Sequence, residues 1–158
     1  MKTGLLQPGD PAPLTIKLAG SDGKTHSLAD FLGRKTVVFF YPKDNTAGCT
    51  AECINISSVL DAFEKLQVNV VGISPDPVEK HEKFIEKHQL KTLLLADTKL
   101  EMAQSFGSWG LKKTFGKEYM GLIRSTFLLD ENGRILQTLD KIKTKSHGED
   151  LLALLYRM

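Results

Sequence analysis

The chain has 158 residues, of which 41% are hydrophobic and 25% charged, a length and composition typical of one soluble globular domain, here residues 1–158. No stretch approaches the roughly 18 apolar residues of a membrane-spanning helix, so we expect no membrane association. The formal net charge of +2 is nearly balanced and gives no sign of the clustered basic face that nucleic-acid binding requires.

The N-terminal segment and the cysteine content indicate a reducing compartment. Pro8, Pro11 and Pro13 interrupt the start of the chain, which therefore lacks the continuous apolar core of a secretory signal. We expect a cytoplasmic protein. In that compartment a pair of cysteines is more often catalytic, redox-active or metal-binding than a structural disulfide.

The sequence up to residue 97 predicts a β-hairpin followed by strands that alternate with helices. Residues 13–20 alternate well enough for a strand, and the turn-forming residues 21–25 favour an N-terminal β-hairpin. The unbroken apolar run at 36–41 is typical of a central strand buried on both faces. The further expected elements are a helix from about Thr50 to Gln67, a strand at 68–74, a helix at 77–88 and a strand at 92–97. This alternation indicates parallel strands joined by crossover helices.

The rest of the sequence predicts an antiparallel hairpin between two helices. A short helix is expected at 99–107, followed by a long, glycine-punctuated connection at 108–121. Residues 124–140 indicate two antiparallel strands with a turn at 131–133, and an amphipathic helix is expected at 148–158. This order is that of a thioredoxin-like α/β fold, with a central mixed sheet flanked by helices and an N-terminal β-hairpin extension.

Both cysteines lie in a short polar stretch, NTAGCTAEC at residues 45–53, between the central strand and the next helix. Cys49 is expected at the helix N-terminus, where unpaired backbone N–H groups and the helix dipole favour an anion such as a thiolate. The Thr46 hydroxyl is placed to cap the helix through the amide of Cys49, and Gly48 leaves space beside the sulfur. Pro42, which ends the strand, shapes the floor of this loop. These features indicate a reactive cysteine.

Two other roles for the cysteines stay open at this point. A cysteine in a sheet protein is often a small buried hydrophobic residue, although glycine and threonine rather than apolar residues flank Cys49. A zinc site would need two more ligands, and the histidines of the chain form no compact pair; they are His26, His81, His88 and His147. His81 and His88 lie in a charged helix, and we expect both to be exposed.

The stretch around Cys49 resembles the peroxiredoxins, and among them the bacterioferritin comigratory protein or peroxiredoxin Q group. The family signature is a proline, three residues, a threonine or serine, two residues and a cysteine, and Pro42, Thr46 and Cys49 match it. Further matches, GISPD, LLLAD and IRSTFLLDENG, fall at the spacings of the group downstream. The resemblance therefore covers essentially the whole chain.

The resemblance implies a thiol-dependent peroxidase that serves antioxidant defence and redox homeostasis. Cys49 would be the peroxidatic cysteine, whose thiolate attacks the terminal oxygen of hydrogen peroxide or an organic hydroperoxide and becomes a sulfenic acid. Thr46 would hydrogen-bond the peroxide, and Pro42 would shield the sulfenic acid from water. Arg124, which matches the arginine of the family, would hold the thiolate and polarise the peroxide.

The resemblance also implies the partners of the enzyme. Electrons would come from thioredoxin or a similar thiol reductant, and no metal or organic cofactor would be needed. Neither nucleic acid nor a membrane would be a partner, and the group favours a monomer.

The chain departs from the group at two positions. Ala47 stands where most members have a proline, which implies a less rigid loop with the same chemistry. Cys53 follows Cys49 by four residues, whereas members with a resolving cysteine on this helix place it five residues later, and others resolve from a later helix or have none. Cβ atoms four residues apart on a helix are about 5–6 Å apart, but a disulfide needs about 3.5–4.5 Å. Cys53 is therefore either a resolving cysteine that acts after the first turn unwinds, or a packing residue that leaves the sulfenic acid to an external thiol.

Two other functions compete with a peroxidase. A disulfide oxidoreductase of the thioredoxin kind usually has two residues between its cysteines and a proline at the start of the hairpin, where this chain has three residues and Arg124. A non-catalytic binding module on the same scaffold would have a Cys49 of ordinary thiol reactivity. Trp109, in the connection at 108–121, either lines the rim of the site or serves only in packing.

Overall fold

The computed structural model describes residues 4–158, apart from the side chain of Thr114. Its strands are β1 (Leu18–Gly20), β2 (Thr25–His26), β3 (Thr36–Phe40), β4 (Asn69–Ser74), β5 (Leu93–Ala96), β6 (Trp109–Thr114), β7 (Lys117–Leu122), β8 (Ser125–Leu129) and β9 (Ile135–Leu139). Its helices are α1 (Ala47–Ser58), α2 (Leu60–Lys65), α3 (Val78–His88), α4 (Glu101–Phe106) and α5 (His147–Tyr156), with a turn of 3₁₀ helix at Leu28–Phe31. Within residues 4–158, no helix has both the length and the apolar character needed to cross a membrane.

The central sheet has seven strands in the order β2-β1-β5-β4-β3-β8-β9. The three strands β3, β4 and β5 are parallel, as the crossover helices require, whereas β8 and β9 pair antiparallel on one side. The N-terminal hairpin of β1 and β2 extends the other side, where β1 pairs antiparallel with β5. The mixed sheet, the flanking helices and the N-terminal hairpin extension agree with the predicted architecture.

Strand β3 lies at the centre of the hydrophobic core, as its unbroken apolar run predicts. Val38 and Phe40 face the core cluster on one side of the sheet, and Val37 and Phe39 face the cluster on the other side. All four side chains are completely buried. Burying both faces fixes the strand firmly, so that the loop after its carboxyl end leaves from a rigid support.

The pairing of β3 with β8 brings two distant parts of the chain together. Phe40, the last residue of β3, lies opposite Ser125, the first residue of β8. Arg124 directly precedes β8, and the loop that carries the cysteines directly follows β3. Antiparallel register therefore sets Arg124 beside that loop.

The helix expected from Thr50 to Gln67 is in fact two helices, and it begins earlier than predicted, at Ala47. Val59, with φ −113° and ψ 15°, separates α1 from α2. The break lies where α5 packs closely, since a Cβ atom on Gly148 would come within 2.6 Å of the Val59 side chain. A tertiary contact of this kind leaves no mark on the helical period of the sequence.

The connection expected at 108–121 is also different, because β6 and β7 form an antiparallel hairpin there. Its two-residue turn consists of Phe115 and Gly116, which both have positive φ values of 52° and 79°. Turns of this kind usually have the sequence Asn-Gly or Asp-Gly, and phenylalanine is unusual in them. Phe115 is fully exposed at the tip, so neither turn chemistry nor a buried face marks this hairpin in the sequence.

Candidate active site

Cys49 lies in the first turn of α1, directly after the loop that leaves β3. The helix begins at Ala47, with Thr46 as its extended N-cap residue. The Cys49 side chain is only 1% exposed and packs against the core cluster beneath the helix. Its predicted position at the helix N-terminus is confirmed. The unpaired backbone N–H groups of the first turn stabilise negative charge at such a position.

The Thr46 hydroxyl does not cap α1, and that part of the prediction is wrong. It donates a hydrogen bond of 2.8 Å to the carbonyl oxygen of Lys43 instead, and no side-chain cap is present among the described residues at this helix start. Asn45 adopts a left-handed φ of 64°, which asparagine tolerates, and the resulting turn brings the carbonyl to the hydroxyl. The Thr46 oxygen thus keeps its lone pairs for another donor.

Pro42 and Trp109 lie at one side of this loop. Pro42 is half-buried, and it lines a surface cavity of about 400 Å³ together with Trp109 and Leu122. Trp109 is also half-buried and packs against the core cluster on that side of the sheet. The tryptophan therefore serves in packing and lines a cavity next to the loop at the same time.

Arg124 contacts Cys49, as the resemblance implies. Its Nη2 atom donates a hydrogen bond of 3.1 Å to the Cys49 sulfur, and its Nη1 atom donates to Oε1 of Glu52. Burial alone would lower the pKa of the Arg124 guanidinium, but the facing Glu52 and Cys49 outweigh it and raise that pKa. The guanidinium is thus a permanent positive charge shared between two groups of α1.

Glu52 is a member of the site that the sequence analysis missed. It is completely buried, although glutamate is rarely so, and it lies one turn after Cys49 on the same face of α1. Burial raises the pKa of the Glu52 carboxyl to about 7, against the opposing effect of Arg124. The three-residue spacing from Cys49 was a signal for a shared face, but it did not indicate burial.

His147 and Thr126 form a second layer behind Glu52, and the sequence did not indicate them either. Nε2 of His147 lies 2.8 Å from Oγ1 of Thr126 and 3.6 Å from Oε2 of Glu52. Burial lowers the pKa of His147 to about 4, with Asp150 opposing and Arg124 adding to the shift. His147 is therefore a neutral imidazole near neutral pH.

A buried hydrogen-bond network holds the loop between β3 and α1. The carboxylate of Asp44 accepts hydrogen bonds from Tyr41, at 2.6 Å, and from Nδ1 of His81, at 2.7 Å. Nε2 of His81 faces the carbonyl oxygen of Leu95 at 3.1 Å, so both ring nitrogens lie within hydrogen-bond distance of an oxygen. The amide of Asp44 in turn donates to Asp76 at 2.6 Å.

The predicted exposure of His81 is therefore wrong, since its side chain is completely buried. The helix that carries it is rich in charge, but His81 lies three residues before the buried Phe84 and so on the inward face. His88, by contrast, is partly exposed and stacks edge-on against Phe84.

Cys53 is free, like Cys49, and completely buried in the core cluster beneath α1. Burial raises the pKa of the Cys53 thiol well above its usual range, and the nearby Glu52 and Cys49 raise it further. A thiol in this state is a poor nucleophile. Within residues 4–158, no three His, Cys, Asp or Glu side chains are grouped so as to hold a metal ion.

Comparison with known proteins places this chain in a family. The model of the AhpC/TSA family matches residues 8–138. The chain is 45% identical over 150 residues to peroxiredoxin Bcp of Bacillus subtilis strain 168, covering 95% of both proteins. It is 40% identical over 147 residues to peroxiredoxin Bcp of Escherichia coli K12, covering 93% of this chain and 94% of that protein.

Solved structures of similar proteins have the same fold as this chain. A mutant of PrxQ from Xylella fastidiosa superimposes with a TM-score of 0.90 at 29% identity, covering 96% of each chain. The bacterioferritin comigratory protein of Xanthomonas campestris, studied for its alkyl peroxide reduction activity, superimposes with a TM-score of 0.86 at 31% identity, covering 94% of this chain and 98% of that one. The chain therefore belongs to the AhpC/TSA family and is a peroxiredoxin of the Bcp and PrxQ type, a peroxidase with a thioredoxin-like fold.

Proposed function

We propose that this peroxiredoxin reduces hydrogen peroxide and small organic hydroperoxides with Cys49 as its nucleophile. The observation that carries the assignment is the hydrogen bond of 3.1 Å from Arg124 to the Cys49 sulfur at the start of α1. A guanidinium and a helix N-terminus act on the same sulfur, and both stabilise negative charge placed there. The alkyl peroxide reduction activity described for the Xanthomonas protein supports the same class of substrate.

The reaction is a displacement at oxygen. The Cys49 thiolate attacks the terminal oxygen of the hydroperoxide, and the new S–O bond forms as the O–O bond breaks. The leaving oxygen takes up a proton and departs as water or an alcohol, while Cys49 becomes a sulfenic acid. Negative charge moves from the sulfur towards the two oxygens, and the Arg124 guanidinium, next to the sulfur, is placed to stabilise it.

Thr46 and Pro42 orient and protect the reacting atoms in this proposal. The hydroxyl hydrogen of Thr46 is used by the Lys43 carbonyl, so its oxygen is left to accept a hydrogen bond from the O–H of the peroxide. A fixed acceptor at the N-cap of the helix that carries Cys49 would align the O–O bond for attack. Pro42, half-buried and without an N–H group, shields the sulfenic acid from water.

The sulfenic acid is reduced, we infer, by thioredoxin or a similar external thiol rather than by Cys53 in the folded enzyme. Cys53 is completely buried, and its raised pKa keeps it in the unreactive thiol form. A disulfide to Cys49 would also require the first turn of α1 to unwind. Cys53 takes part in resolution only if that turn opens after oxidation.

The assignment of Cys49 is tested by peroxide consumption with a thioredoxin system as reductant. We expect the Cys49→Ser variant to lose turnover, whereas Cys53→Ala, which changes the other cysteine of the same helix, keeps it. Turnover retained in Cys49→Ser would overturn the assignment. Insulin reduction, measured in parallel, separates a peroxidase from a disulfide oxidoreductase, because only the latter reduces insulin.

We further infer a cytoplasmic enzyme that acts as a monomer of one domain, residues 1–158. Support for the reducing compartment comes from the two cysteines, which are both free. Sedimentation equilibrium of the reduced protein, with 17.5 kDa as the mass of one chain, tests the monomeric state.

A further inference from the structure

Glu52, which contacts Arg124, has a buried carboxylate oxygen without a hydrogen-bond partner in the described part of the chain. Oε1 of Glu52 accepts a hydrogen bond from Arg124, but Oε2, equally buried, accepts none. A buried carboxylate oxygen without a donor costs free energy. Nε2 of His147 lies 3.6 Å from Oε2 and can reduce this cost when it carries the ring proton.

The position of the ring proton on His147 decides which charge state of Glu52 is favoured. If Nε2 carries the proton, it donates to Thr126 Oγ1 at 2.8 Å and also directs a positive dipole at Oε2, which favours an ionised Glu52. If Nδ1 carries the proton, a lone pair faces Oε2 and favours a protonated Glu52. A neutral His147 therefore couples its tautomer to the charge of Glu52.

We propose that His147 is a positioning residue of the peroxidase, which keeps Glu52 ionised through its Nε2–H group and thereby keeps Arg124 anchored beside Cys49. The inference rests on the function proposed above for Cys49. His147 touches neither the sulfur nor the peroxide, so it acts only through the chain from Glu52 to Arg124. When Glu52 takes up a proton, Arg124 loses a charged anchor, and peroxide reduction slows.

The groups that can influence this titration come from three elements. On α1 these are Cys49 and Cys53, and on the segment before β8 the charged group is Arg124. On α5 it is Asp150, which opposes the effect of burial on His147. Since burial raises the pKa of Glu52 to about 7, its charge changes near neutral pH.

The test compares His147→Met, which has similar bulk but no N–H group, with His147→Gln, which has an N–H donor at the same reach. If loss of the N–H group raises the pKa of Glu52 by about one unit, less of the Met variant has an ionised Glu52. We then expect the Met variant to react with hydrogen peroxide roughly fivefold more slowly than wild type at about pH 7, and within about twofold of wild type at about pH 9. The Gln variant should follow the wild type. The control His26→Met changes a histidine on β2, at the far edge of the sheet, and should follow it too.

Equal slowing of the Met and Gln variants at every pH would indicate that His147 has only a structural role and would overturn the proposal. Identical pH–rate profiles for all variants would overturn it too.

Thr126→Val provides a second test if the Met variant does not fold. This substitution leaves the Nε2–H group of His147 to Glu52 alone, so the inflection of the pH–rate profile should move to lower pH. An unchanged inflection would contradict the proposal. Infrared titration of the buried carboxyl band follows Glu52 without peroxide, so it separates failure of this inference from failure of the peroxidase assignment.

Discussion

Arg124 and Cys49 are 75 residues apart in the sequence, yet the guanidinium nitrogen Nη2 lies 3.1 Å from the thiol sulfur. Two features of the fold create this contact. The end of β3 pairs with the start of β8, and the loop after β3 turns directly into α1. The contact thus depends on the register of a buried central strand rather than on neighbouring residues.

Replacing Arg124 by lysine should slow the reaction of Cys49 with hydrogen peroxide by about 10²-fold. A lysine has one compact charge and cannot donate to Glu52 and Cys49 at the same time, as the fork of the guanidinium does. Stopped-flow measurement of the second-order rate constant checks this. The matched control is Arg134→Lys, an exposed arginine that donates to the Gly9 carbonyl, and an equal loss in that variant would contradict the explanation.

Oxidation of the folded enzyme should stop at the sulfenic acid. Because Cys53 is buried and its pKa is raised, one equivalent of peroxide should add one oxygen to the wild type and one to Cys53→Ala. Intact-mass spectrometry after rapid acid quenching measures this directly. If the wild type instead loses two hydrogens while the variant gains oxygen, Cys53 resolves Cys49 despite the spacing of four residues.

Glu52→Gln should stabilise the protein at high pH. The pKa of Glu52 is raised from 4.5 to about 7, so its contribution to stability is fully present below pH 4.5 and lost as the pH rises through 7. The loss is about 3 kcal/mol, and glutamine, which resembles the neutral acid, avoids it. The free energy of unfolding of Glu52→Gln should therefore exceed that of the wild type at about pH 8 and approach it at about pH 4.5.

Urea unfolding at the two pH values measures this difference. Glu64→Gln is the matched control, since the Glu64 side chain is 72% exposed and should show no such dependence. A Glu52→Gln variant less stable than wild type at high pH would mean that the ion pair with Arg124 outweighs the cost of burial.

His81→Leu should reduce the free energy of unfolding by about 1–3 kcal/mol, because it leaves Oδ2 of the buried Asp44 side chain without its hydrogen-bond partner. His88→Leu, on the same helix, removes only an aromatic contact with Phe84 and should cost less than about 1 kcal/mol. Chemical unfolding of both variants provides the comparison. Similar losses in the two would show that Asp44 does not depend on His81.

The sequence predicted most of the sheet because its strands have strong local signals. The apolar run at 36–41 is typical of a buried strand, and the resemblance to the family singled out Cys49 and, far along the chain, Arg124. The hairpin of β6 and β7 was missed because its turn is Phe115-Gly116 and most of its side chains are exposed.

The second layer of the site could not be predicted, for a physical reason. Glutamate and histidine on a helix are usually exposed, but Glu52 and His147 are buried where α1 packs against α5, and His147 also contacts Thr126 of β8. His81 was placed wrongly because the charge of its helix concealed that it shares a face with Phe84. In all three cases long-range packing, not local pattern, sets the environment.

The Cys49 sulfur, in the proposed reaction, takes an oxygen atom from the peroxide and becomes a sulfenic acid. Trapping that sulfenic acid tests this most directly. The wild type is treated with one equivalent of hydrogen peroxide in the presence of dimedone, which labels sulfenic acids, and the labelled peptide is identified by mass spectrometry. We predict the label on Cys49, and strongly reduced labelling in Arg124→Lys at the same early time. A label on Cys53, or none on either cysteine, would contradict the account.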